Sequence, residues 1–103
     1  SDSVAEAHAA ETAAQVFRAN VGQLKTCYER GLKRDSNLQF VPRLQVRLTI
    51  GPDGQNHGLA LSPRVDAELT SCINRVVSHW PFPRYSGAPV TLEVPLSLRA
   101  LGG

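Results

Sequence analysis

The chain is predicted to fold as an α+β domain with element order α-β-β-α-β: a three-stranded antiparallel sheet of order 2-1-3 with two helices covering one face. Three observations carry this prediction. Residues 43 to 50 and 90 to 98 alternate apolar and polar side chains, the period of a half-buried strand. Leu69, Cys72, Ile73, Val76 and Trp80 recur at three- and four-residue steps, the period of one helix face. Gly51-Pro52-Asp53-Gly54 stands directly after the first alternating run, where Pro52 presets its φ and Gly54 is free to take a positive one, so a hairpin follows.

Taken in order, Ser3-Val4-Ala5-Glu6 fits a capping box at the start of a helix. Residues 4 to 14 are alanine-rich without a large apolar stripe, so residues 1–15 are read as a helical lead-in or linker end and 16–103 as the domain proper. The first helix has a face to bury from Val16 onward, with Phe17, Val21, Leu24, Tyr28 and Leu32 spaced along it. Lys33 and Arg34 suit a helix C-terminus, and Asp35-Ser36-Asn37 reads as its exit. Leu44, Val46, Leu48 and Ile50 form the buried face of the first strand. The return strand, around Gln55 to Leu61, contains Asn56 and Gly58 and is expected to be short and at an edge. Asp66 is the expected N-cap of the second helix, which runs to about His79 before Pro81. Trp80, Phe82 and Tyr85 could form a binding platform, but aromatics after an amphipathic helix more often plug the open end of a core, and these are read as such a plug. The last strand carries Val90, Leu92, Val94, Leu96 and Leu98 on one face and Thr91, Glu93, Pro95 and Ser97 on the other. Pro95 cannot donate to a ladder, so one side of this strand should be unpaired.

At 103 residues the chain makes one domain with a single modest core. Its net charge of +2 comes from scattered side chains, which argues against a nucleic-acid partner. No run approaches the roughly 18 apolar residues of a membrane span. The Ser1-Asp2-Ser3 start reads as that of a trimmed fragment, with any export signal or anchor upstream. Cys27 and Cys72 lie on or beside the apolar faces of the two helices and point to a disulfide staple, the alternative being two free buried thiols. Such a bridge would stabilise by about 4 kcal/mol on the chain-entropy estimate.

Chemistry-bearing patterns are missing. His8, His57 and His79 lie apart without metal-site spacing, and there is no CxxC, no Gly-x-Ser-x-Gly elbow and no phosphate-cradling glycine loop. The expectation is therefore no catalytic residue, no metal, no cofactor, no small-molecule substrate and no enzymatic activity. The last strand is the informative feature. An exposed edge is a template for an added peptide strand, although Pro95 could equally blunt it.

The ordered set of Cys27-Tyr28-Glu29, the Gly54 turn, Ser71-Cys72-Ile73, Phe82-Pro83 and Val94-Pro95-Leu96 resembles the AgmX/PglI C-terminal domain, a disulfide-bearing branch of the TonB C-terminal superfamily, over roughly residues 16 to 99. The chain departs from that pattern at Val41-Pro42-Arg43, where the family has a glycine, and at Asn56, where it has an apolar residue. The resemblance implies a periplasmic C-terminal domain carried by an inner-membrane-anchored protein, passing force or signals to an outer-membrane or envelope partner in transport, energy transduction or gliding motility. It also implies peptide binding by strand addition at the last strand, mapping to Val90, Thr91, Leu92, Glu93, Val94, Leu96 and Ser97, and interrupted at Pro95 if the missing amide lies on the open side. The alternative is a structural module of a gliding-motility or envelope complex that docks through its helices or dimerises by edge pairing.

Overall fold

In a computed structural model describing residues 2–102, the sheet has the expected order β2-β1-β3, with β1 (Arg43–Ile50) antiparallel to both β2 (Asn56–Ser62) and β3 (Val90–Ser97). Ser1 and Gly103, the ends of the two predicted segments, lie outside the described residues. In β1, Leu44, Val46, Leu48 and Ile50 are buried, and in β3 so are Val90, Leu92, Val94 and Leu96. Their alternates point to the opposite, exposed face, as the pleat requires. The helices cover the apolar face: α1 (Asp2–Asn20) lies over β3, while α2 (Lys25–Arg34) packs on α3 (Ala67–Val77), which in turn borders β2.

The turn works as its residues dictate. The Gly51 amide donates to the Gln55 carbonyl at 3.0 Å, the Gly54 amide donates to Gly51 at 2.9 Å, and Gly54 sits at φ +77°. A Cβ on Gly54 would lie 2.5 Å from the backbone oxygen of Phe82, because the segment after α3 docks on the hairpin. Gly54→Ala is expected to cost about 2 kcal/mol or more, combining left-handed strain with a backbone collision. Denaturant unfolding checks this, and a loss near zero would mean the turn rearranges without penalty.

Asp66 caps α3 as its position predicts, accepting from the Leu69 amide at 2.7 Å. The pair Phe17 and Trp80 meets edge to face at 5.2 Å, and the Trp80 indole donates to Gln23 Oε1 at 2.9 Å. With Phe82 also buried, the aromatic segment closes the end of the core. Cys27 and Cys72 are bonded, linking α2 to α3.

Five details differ from the expectations. The first helix is not continuous: a 3₁₀ turn at Val21–Leu24 separates α1 from α2, tightening the chain so that Leu24 as well as Phe17 enters the core. The alanine-rich segment is helical from Asp2 and is not merely solvated, since Ala9 and Ala13 are buried. Small side chains there allow α1 a close approach to β3. The return strand is at an edge as expected but is not short, spanning seven residues. Its Asn56 donates to Asn74 Oδ1 on α3 at 2.7 Å and accepts from the Gly58 amide. α3 stops at Val77 rather than His79, with Ser78 as its cap and Trp80 buried beyond the helix end. Lastly, Leu98 leaves the strand: it opens a short helix α4 (Leu98–Gly102) that buries Leu98 and Leu101 under the helices.

Candidate functional site

β3 has one neighbour, β1, and its other edge carries no pairing strand among the described residues. Which of its amides face that edge follows from the register. The partners run continuously from Arg43 opposite Ser97 to Ile50 opposite Val90. One step further on, the Leu98 amide donates to the Pro42 carbonyl at 3.0 Å. In an antiparallel pair, hydrogen-bonded and non-hydrogen-bonded residue pairs alternate. The bonded pairs are therefore Leu44 with Leu96, Val46 with Val94, Leu48 with Leu92 and Ile50 with Val90. The backbone of Val90, Leu92, Val94 and Leu96 is committed to β1, and their side chains are committed to the core.

The open edge consequently belongs to Thr91, Glu93, Pro95 and Ser97, whose side chains stand on the exposed face. Thr91 and Glu93 direct their amides and carbonyls outward, Pro95 offers only a carbonyl, and Ser97 offers its amide, its carbonyl being the first acceptor of the helix that opens at Leu98. The 3.0 Å contact between the Thr49 and Thr91 hydroxyls fits this phase, because side chains approach more closely in non-hydrogen-bonded pairs. Pro95 thus keeps the β1 ladder whole and removes one donor from the free edge. Of the seven residues predicted for the site, three present edge amides and four hold the strand in place.

The beginning of β3 is anchored from several directions, which no local pattern announced. Glu6 of α1 accepts from the Ala88 amide at 3.0 Å across the chain, so its carboxylate is engaged with the β3 entry. Gly87, at φ +133°, lies directly under the Glu6 side chain. The Tyr85 hydroxyl is shared between the carbonyls of Ile50 at 2.7 Å and Ala88 at 2.9 Å. Burial pushes the Tyr85 phenol above its ordinary pKa, although a hydrogen bond from the backbone of Val90 works the other way. These contacts hold rigid the segment from which Val90 to Val94 emerges.

The other titratable groups do not converge on this edge. Among the described residues no group of three His, Cys, Asp or Glu side chains could hold a metal ion. His57 Nε2 meets both carboxylate oxygens of Asp53 at 3.0 Å at the hairpin turn. The Gln55 amide, more than that imidazole, holds the Asp53 carboxyl below the usual aspartate range. His79 Nδ1, just past the end of α3, is 2.8 Å from the Arg75 carbonyl. No helix among the described residues is long and apolar enough to cross a membrane. Comparison of the chain with protein-family models, with curated proteins and with solved structures returns no match.

Proposed function

We propose that this is a non-enzymatic adaptor domain of the TonB-like kind, which binds an extended peptide of an outer-membrane or envelope partner on the free edge of β3. The observation that supports the reading is the pair of outward amides on Thr91 and Glu93, presented on a strand whose entry is pinned by Glu6 and Tyr85. A preorganised edge lets main-chain hydrogen bonds supply affinity without first ordering the receptor strand. Because Pro95 lacks a donor on that same side, the added strand gains its full ladder only along the Val90 to Val94 half. The exposed side chains of Thr91 and Glu93 then select among peptides. A disulfide is compatible with a periplasmic or extracellular compartment, and a periplasmic domain tethered to an inner-membrane anchor follows from the resemblance in sequence.

Amide-shift titration of the oxidised domain with extended peptides from candidate partners tests the reading. Shifts centred on residues 89 to 94 are expected. Thr91→Pro removes an outward amide that β1 does not use, so it should leave the fold intact and weaken binding by about tenfold or more. Pro95→Val restores a donor and should tighten binding by roughly fivefold, the worth of about 1 kcal/mol for one hydrogen bond. Binding indifferent to both substitutions rules the mechanism out.

The second reading is a docking module that pairs with another copy through β2. It is favoured by one observation: on β2 the outward amides are those of Leu59 and Leu61, with no proline among them. A concentration-dependent dimer that survives Thr91→Pro would select it.

A further inference from the structure

We infer that the groove between α2 and α3 is a second binding site, for carboxylates of an acidic segment of a partner protein. It is separate from the β3 edge and does not depend on it. The groove is an open cleft of about 380 Å³ with the Cys27–Cys72 bridge in its lining. On α2, Cys27, Arg30 and Arg34 fall on one stripe by their three- and four-residue steps; on α3, Glu68, Ser71, Cys72 and Arg75 do the same. Both stripes line the groove, so three arginines and a serine border a floor that a covalent bond keeps at fixed width.

The internal charge balance identifies the ligand class. Arg34 is already held: its Nη2 is 3.1 Å from Asp66 and its Nε 3.2 Å from Glu68. Arg30 and Arg75 have no ion-pair or hydrogen-bond partner for their guanidiniums among the described residues. Two guanidinium forks are therefore free, and such a fork engages an oxyanion, carboxylate or phosphate, through two parallel hydrogen bonds. The neighbouring Asp66 and Glu68 carboxylates leave only a small positive excess, which suits singly charged carboxylates and disfavours a dianionic phosphate. A peptide bearing Asp or Glu side chains at successive positions can meet Arg30 and Arg75 from opposite walls, with the Ser71 hydroxyl free to donate to the same group.

An amide-shift titration of the oxidised domain at low salt with an acetylated, amidated tetra-glutamate peptide tests this, with inorganic phosphate as the competing probe. Saturable shifts are expected along residues 27 to 34 and 67 to 75, with the β3 amides unmoved. The double variant R30Q/R75Q should weaken binding by about tenfold or more. Its fold is verified by an unchanged unfolding midpoint, and R43Q/R47Q, on the exposed sheet face, serves as the charge-matched control that should bind normally. Shifts that fail to saturate, shifts that persist in R30Q/R75Q, or phosphate that occupies the same amides at lower concentration than the peptide would each overturn the assignment. Arg34 is left unchanged because it supports the Asp66 cap.

Discussion

Replacing Cys27 and Cys72 together with alanine is expected to lower the unfolding free energy by about 4 kcal/mol. The bridge spans a sequence separation of 45, so it removes much of the freedom of the unfolded chain between the first helical segment and α3. Few other changes reach that size, because the native contacts around it are modest: Cys27 is fully buried, Cys72 is half-buried, and two small thiol groups leave little cavity when truncated. Against a total of about 5–15 kcal/mol for a domain of ordinary stability, the loss leaves a marginal fold. Denaturant unfolding of the double variant, compared with the oxidised parent, gives the number directly. A loss below about 1 kcal/mol would mean that packing between α2 and α3 suffices by itself and that the bridge constrains little in the unfolded chain. The arginine-lined groove supplies a second readout. With the bridge gone its two walls are no longer held at one spacing, so tetra-glutamate binding should weaken even at temperatures where the domain remains folded.

Phe17→Ala is expected to cost about 3–5 kcal/mol, the range for truncating a fully buried aromatic ring. Phe17 is 1% exposed and lies at the junction where α1 gives way to the 3₁₀ turn. Its ring packs at 78° to that of Trp80, an edge-to-face geometry that adds to the burial. Trp80 is itself held by its hydrogen bond to Gln23, so the cavity cannot collapse without breaking a second interaction. Unfolding by denaturant should register the loss, and the tryptophan emission of the folded state should shift as water approaches the indole. Val4→Ser on the same helix is the control: Val4 is 74% exposed, and the change should stay within about 0.5 kcal/mol. Equal effects from the two substitutions would mean that α1 does not dock on the core through Phe17.

Local chemistry made much of the fold legible. The alternation in Arg43 to Ile50 and in Val90 to Ser97 requires no knowledge of a partner, since a two-residue period can bury only one face. Asp66 announced its helix because a carboxylate with three free amides ahead of it is a local arrangement. The docking of the lead-in helix was not legible, because Ala9 and Ala13 bury too little surface to form a stripe and act by letting β3 come close. Leu98 continued the strand alternation perfectly and still became helical, since at the end of β3 either conformation buries it and α4 also buries Leu101.

The candidate edge divides along the same line. That Pro95 interrupts an edge was written in its chemistry, for no proline donates a hydrogen bond. The side on which the donor is missing was not, because it depends on whether Pro95 falls in a bonded or a non-bonded pair with β1, and only the register with Gln45 decides that. The arginine groove is likewise a product of long-range placement: Arg30 and Arg75 are unremarkable surface residues until the disulfide sets their helices side by side. By itself the sequence determined the three strands, the hairpin turn and the Asp66 cap, all set by periodicity and backbone preference over a few residues. The tertiary structure decided the phase of the open edge, the burial of the alanine helix and the meeting of Arg30 and Arg75 along one groove, because each depends on distances between segments that local preferences do not encode.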